Sequence, residues 1–288
     1  MGEKSNARIE ISHLKAGGKN NWGKIQEAFQ LIEEARKRGV QIEADVYPYT
    51  ASAAELGVIL PDEYFTREDR TAFFQDETHR QEIFKNLQDY FEKKNMNWES
   101  IMIATTPAKR LHSYEGKTIK ALAAEKGEAP EKFLIELLAE TSFKVSAFSF
   151  SQNPEVVEQV IQKPYVTIGS DSIADGSRRP HPRAFGTFPK ILKEYVREKK
   201  DLELGEAIRK MTSQAADYFG LKSRGRIEPG YFADLVLFDA SEVSDQATYQ
   251  DSKVLSRGVS WVFVNGEPVI QNGKTTLEKK GRFLLLNS

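Results

Sequence analysis

Hydrophobic and polar positions along this chain switch period in a way that sets out most of its elements. Arg8-Ile9-Glu10-Ile11-Ser12-His13 alternates and predicts a strand that delivers His13 into a glycine-rich loop, Ala16-Gly17-Gly18. Residues 23–38 carry Ile25, Ala28, Phe29, Ile32 and Ala35 at helical spacing, and Gly39 ends that helix. A second strand is predicted over 42–47, running into Asp45-Val46-Tyr47-Pro48-Tyr49, so the chain opens as a β-α-β unit with parallel strands. From 61 to 97 charge is dense, and Phe73, Phe74, Ile83, Phe84, Leu87 and Phe91 recur at helical spacing. This predicts one or two helices inserted to cover a site. Further strands are expected at 101–106, 144–150 and 165–170, and helices at 118–126, 130–140, 154–162, 184–199 and 204–218. After Gly220 the period changes to β, with short strands at 235–238, 259–264 and 268–270. Asn265-Gly266 and Asn272-Gly273 are hairpin signals.

Composition narrows the class. The chain has 288 residues, 40% hydrophobic, enough for one large core or two modest ones. Net charge is -1 and the pI is near 6.5, and Lys and Arg are dispersed, which argues against a nucleic-acid partner. Cys is absent, so neither a disulfide framework nor a thiolate metal site is expected within the chain. No apolar signal core opens it and no apolar run is long enough to span a bilayer, so a soluble cytoplasmic protein without a membrane partner is the expectation.

Candidate chemistry concentrates at 165–183. Tyr165-Val166-Thr167-Ile168-Gly169-Ser170-Asp171 reads as a buried strand with a carboxylate where it stops, the position at which parallel α/β barrels place their chemistry. Arg178-Arg179-Pro180-His181-Pro182-Arg183 follows and is expected to bring three Arg and one His close to that Asp. On residue type alone, Asp171 is equally a capping residue ahead of a solvated basic loop, and His13 equally a hydrogen-bonded residue at a strand end.

Several segments together resemble the amidohydrolase superfamily and, within it, the N-acyl-D-amino-acid deacylases. They are Ile11-Ser12-His13-Leu14-Lys15 with Asn21-Trp22-Gly23; Ala44-Asp45-Val46-Tyr47-Pro48-Tyr49; Ile168-Gly169-Ser170-Asp171; and Arg179-Pro180-His181-Pro182-Arg183 with Gly186-Thr187-Phe188. Residues 225–236, Gly-Arg-Ile-Glu-Pro-Gly-Tyr-Phe-Ala-Asp-Leu-Val, resemble the superfamily's return to its small β domain. The resemblance implies an α/β fold: the C-terminal part, about strands five to eight, of a metal-dependent (β/α)8 TIM barrel over 1–220, with the helical insertion near 61–97. A β-rich segment of a small sandwich would follow over 221–288. It places His13 at the end of strand five, Tyr47 at the end of strand six and Asp171 at the end of strand eight.

The implied reaction is hydrolysis of the linear amide of an N-acyl-D-amino acid. Such hydrolysis needs an activated water, a polarised carbonyl and a proton for the leaving amine; Zn2+ supplies the first two and a carboxylate can carry the proton. By the resemblance His13 is a metal ligand and Asp171 the proton shuttle. Arg183 would grip the substrate carboxylate with two parallel hydrogen bonds, with Arg179 and Lys15 as further candidates. Tyr47 lines the site, or simply packs at a strand end. Thr105 and Thr106 could reach substrate, while Ala104-Thr105-Thr106-Pro107 and Ser151-Gln152-Asn153 depart from the deacylase pattern. A barrel portion exposes two sheet edges, so pairing with an N-terminal half of the same enzyme, or with a second copy, is expected. Two other readings remain open: an inactive half-barrel that binds or scaffolds, and an amidohydrolase acting on a cyclic amide.

Overall fold

The computed structural model describes residues 2–173 and 176–284. Ten strands occur among them: β1 (Ile9–Ile11), β2 (Ile42–Val46), β3 (Ala51–Glu55), β4 (Ile101–Thr105), β5 (Ser146–Phe150), β6 (Val166–Ile168), β7 (Leu235–Phe238), β8 (Val259–Val264), β9 (Glu267–Gln271) and β10 (Lys274–Thr275). They form three sheets, ordered β1-β2-β6, β3-β5-β4 and β10-β9-β8-β7. The described residues gather into two compact units, one of residues 2–50, 152–173 and 182–284, the other of residues 51–151 and 176–181.

The first unit is built on the parallel sheet. Ile11 pairs with Ala44, Ala44 with Val166 and Val46 with Ile168. The helix Ile25–Lys37 links β1 to β2, burying Ile25, Phe29 and Ile32 on one face, as its spacing predicts. Gly39, at φ 89°, turns the chain back in a conformation that favours glycine. Along β2, Ile42, Ala44 and Val46 are buried while Glu43 and Asp45 lie on the other, half-buried face. The helix Pro154–Gln162 starts with Asn153 accepting a hydrogen bond from the Glu155 amide at 2.8 Å, and it buries Val156, Val157, Val160 and Ile161.

Two expected helices are each interrupted. Residues 184–199 form an α-helix, Arg183–Lys190, that widens into a π-helical stretch, Ile191–Glu198. Pro189 lies within the first part; it has no amide hydrogen to give the preceding turn, and its ring crowds the carbonyl four residues back. Residues 204–218 break at Thr212, φ −135° and ψ −90°, into Leu204–Met211 and Ser213–Phe219. Lys210 is fully buried on the first of these. Its ammonium donates to the carbonyls of Lys163, at 2.6 Å, and Val166, at 2.8 Å, at the start of β6.

The C-terminal strands form one antiparallel four-stranded sheet, with β10 added to the three strands expected. Both Asn-Gly pairs make its turns, with positive φ at Asn265, Gly266, Asn272 and Gly273. A single sheet, not two facing sheets, is present among the described residues of this segment.

The second unit corrects the expected barrel. The strands at 101–106 and 144–150 do not join the parallel sheet. They become β4 and β5, which pair antiparallel with each other, and β5 also pairs with β3. β3 reads Ala-Ser-Ala-Ala-Glu, without a β-branched or aromatic residue, so it carries no strand signal of its own; its register against β5, from Ala51 opposite Phe150 to Glu55 opposite Ser146, defines it. Residues 61–97 hold three helices, Asp62–Phe65, Arg70–Gln75 and Glu77–Lys93. Phe74, Ile83, Leu87 and Phe91 are buried there in a core shared with Phe133, Leu134 and Phe143. The aromatic spacing therefore builds this unit's own interior.

Candidate active site

In the first unit the three parallel strands end side by side. His13 stands two residues beyond β1, Tyr47 directly after β2, and Asp171 three residues beyond β6. His13, at φ 43°, and Asp171, at φ 46°, both adopt the left-handed conformation that non-glycine residues avoid; such positions cluster where a site fixes side-chain aim. The sheet order makes these strands immediate neighbours. With the Asp171 strand counted as eighth, the Tyr47 strand is seventh and the His13 strand sixth. The expected assignment of His13 to strand five and Tyr47 to strand six is thereby corrected. It had counted the strands of the second unit into the barrel.

Asp45 holds this arrangement together, a role its position in the sequence does not announce. Its carboxylate accepts the His13 amide at 2.7 Å and its carbonyl accepts the Leu14 amide at 2.8 Å, so one residue of β2 fixes the turn that presents His13. From the other side, the Gly169 amide donates to the Val46 carbonyl at 3.1 Å. A Cβ at position 169 would lie 3.1 Å from the carboxyl carbon of Asp45, which explains a glycine at this strand end. Glu10, on β1, is shifted toward its neutral form by burial, opposed by its hydrogen bond from Ser12 and reinforced by the negative charge of Asp45. Asp45→Ala should release the turn at a cost of about 1–2 kcal/mol, while Asp45→Asn, which keeps an acceptor oxygen, should cost less. Amide hydrogen exchange at His13 checks this. Equal protection in wild type and Asp45→Ala would refute the clamp.

Beside the clamp lies a donor-rich cluster. Arg183, 5% exposed, pairs with the Asp171 carboxylate at 2.7 Å; the Asp171 side chain is 34% exposed. The guanidinium also lies 4.6 Å from the ring centre of Tyr47. Lys15 reaches the Tyr47 hydroxyl at 3.5 Å. Burial lowers the Lys15 pKa, with Asp171 and Asp45 opposing the shift and Arg183 adding to it. Burial raises that of Tyr47, against the pull of Arg183 and a hydrogen bond from Gln152. A neutral phenol suits a site-lining role and makes a poor metal ligand.

The sequence-predicted residues thus fall into two groups. His13, Lys15, Tyr47, Asp171 and Arg183 gather at the strand ends of the first unit. Arg179 belongs to the second unit and is not among the contacts that build this cluster. The expectation that three Arg and one His converge on Asp171 holds for Arg183 alone. Arg178 pairs with Glu115, and also with His112 at 2.5 Å. His181 is buried, its Nε2 3.0 Å from the Ala51 carbonyl and its ring edge-on to Phe148. Thr105 bonds Ser146 at 2.6 Å and Thr106 bonds Glu115 at 2.9 Å, so both hydroxyls serve the second unit's interior.

The donors do not complete a metal centre. Among the described residues no three His, Asp or Glu side chains gather in a metal-binding group, and Cys is absent. His13 and Asp171 supply two donors where a catalytic zinc takes three protein ligands.

Comparison with known proteins matches residues 71–270 to the amidohydrolase family. D-aminoacylase of Alcaligenes xylosoxydans xylosoxydans is 31% identical over 99% of this chain and 50% of its own. N-acyl-D-aspartate deacylase of the same organism is 29% identical over 99% of this chain and 48% of its own. The chain spans about half the length of these curated relatives. Among solved structures, N-acyl-D-glutamate deacylase from Bordetella bronchiseptica, complexed with zinc and a phosphonate inhibitor, superposes with a TM-score of 0.74 at 27% identity, covering 93% of this chain and 48% of that one. With its parallel strands, their clustered ends and this similarity along nearly its whole length, the chain belongs to the amidohydrolase family, and its relatives there are the deacylases of N-acyl-D-amino acids.

Proposed function

We propose that this chain supplies the strand-end face of a hydrolase that cleaves the linear amide of N-acyl-D-amino acids, as part of a longer or split enzyme. The observation that carries the reading is the half-exposed Asp171 carboxylate set against the buried Arg183, with Lys15 and Tyr47 beside it. A proton carrier and a grip for a substrate carboxylate then stand side by side. Asp171 takes the proton of the attacking water and returns it to the leaving nitrogen. Arg183, which has five N–H donors, holds the substrate carboxylate while keeping contact with Asp171, and Lys15 adds a second positive charge. The D configuration and the acyl-amino-acid class follow the relatives' names. The Zn2+ carried by the Bordetella relative would here need ligands besides His13 and Asp171, and β1 and β6, with one strand neighbour each, leave edges for a second polypeptide.

The short donor set also favours a second reading, a binding module without catalysis. One experiment separates the two. The chain is purified alone and co-expressed with the polypeptide encoded immediately upstream, zinc is measured by mass spectrometry, and acetate release from N-acetyl-D-amino acids is assayed. Zinc and turnover only in the co-expressed sample support the split hydrolase; neither in either sample favours the binding module.

A further inference from the structure

Gln152 enters the first unit where the chain returns from β5, its amide donating to the Thr50 carbonyl at 3.1 Å. The side chain is 7% exposed. Its Nε2 is shielded from solvent and closes no hydrogen bond of good geometry, although the amide lies close enough to the Tyr47 hydroxyl to favour its ionised form. A buried primary amide with unused hydrogens destabilises a fold unless something else accepts them. The neighbours of that hydroxyl are all donors: Lys15 at 3.5 Å, the Arg183 guanidinium and Gln152 itself. One phenolic oxygen cannot accept from all three and also place its own hydrogen. The cluster therefore holds more hydrogen-bond donors than acceptors, and what would balance it is an anion with two oxygens.

We propose that Gln152 is a ligand-contacting residue, the neutral arm of an anion pocket formed with Lys15, Tyr47 and Arg183, its Nε2 donating to one oxygen of a bound carboxylate. The proposal rests on the carboxylate-binding reading given above and adds to it a residue for which residue type and spacing provide no signal. A neutral donor has a distinct use here. Two cations already face Asp171, and a third would attract any anion, whereas an amide rewards only an acceptor oxygen in the right place.

The test uses the 288-residue chain, wild type, Gln152→Met and Gln152→Glu, with N-acetyl-D-methionine and its uncharged methylamide as probes in equilibrium dialysis. Thermal unfolding of each ligand-free protein is recorded alongside. Gln152→Met should leave the ligand-free Tm unchanged or raise it, because an unsatisfied donor has been removed. It should weaken the carboxylate probe about fivefold, the worth of one neutral hydrogen bond. Gln152→Glu should weaken that probe further through like charge, and the methylamide should bind poorly to all three. An unchanged carboxylate affinity in Gln152→Met overturns the assignment of Gln152 and leaves the carboxylate reading standing. A lowered Tm with unchanged affinity assigns the amide to a structural bond with Tyr47 and likewise overturns it. Wild type that binds neither probe, or both equally, overturns the anion pocket and the role of Gln152 together.

Discussion

Asp171→Ala should destabilise the chain by about 3–5 kcal/mol, and Arg183→Met by far less, although the two residues form one ion pair. The asymmetry follows from exposure. Removing Asp171 strands a guanidinium that is 5% exposed, whereas removing Arg183 leaves a carboxylate that is 34% exposed and can be hydrated. Methionine also fills much of the volume that the arginine occupied against the Tyr47 ring. The double variant should regain most of the loss, because it removes both charges. A urea double-mutant cycle reads the coupling directly. Equal losses in the two single variants would show that the pair is solvated as a surface pair. The result matters for any activity assay: a variant at Asp171 must be shown to be folded before lost turnover is credited to the proton it carries.

The second expected result is a stability difference that grows with pH. Burial pushes the Lys210 ammonium down to about 8, opposed by Glu206 and Glu43 and reinforced by Arg209. Unfolded, a lysine titrates near 10.4. Between these values the unfolded chain binds more protons than the folded one, so this group makes the fold more stable as pH rises. From pH 8 to 9.5 the gain is about 2 kcal/mol, at about 1.4 kcal/mol per pH unit. Lys210→Met lacks this gain, so wild type should pull ahead of it by about that amount across the interval. Tyr165, pushed up to about 12 by burial, and Tyr195, raised by burial as well, act in the opposite sense at higher pH. Both are common to the two proteins and cancel in the difference. Urea unfolding at the two pH values is the measurement, and a constant difference would mean that Lys210 stays charged in the fold.

Much of the site is legible in the sequence because it sits where periodic signals end. His13, Tyr47 and Asp171 each follow a short apolar strand, and three strand ends with such residues point to one face of a parallel sheet. The pairing of the strands is less legible. Ile101–Thr105 and Ser146–Phe150 have the composition of barrel strands, and nothing in their alternation distinguishes a parallel neighbour from an antiparallel one. β3 is hidden altogether, because alanine and serine acquire a strand conformation here from their partner. Asp45 and Gln152 are hidden for another reason. Their importance lies in a backbone amide two strand ends away and in an unfilled hydrogen-bonding capacity, and neither is a property of residue type or spacing.

The hydrogen bond between Gln152 and Thr50 has a consequence for how this molecule can change over time. The chain leaves the first unit after Thr50 and comes back at Gln152, so about a hundred residues begin and end at one 3.1 Å contact. A loop whose ends already touch pays little for added length, since closure entropy grows only with the logarithm of the residues enclosed. Residues 51–151 are in this sense a cassette. They can be lengthened, trimmed or exchanged between relatives while His13, Tyr47 and Asp171 keep their places, and selection on what surrounds the reacting groups can proceed without disturbing the strand ends that hold them.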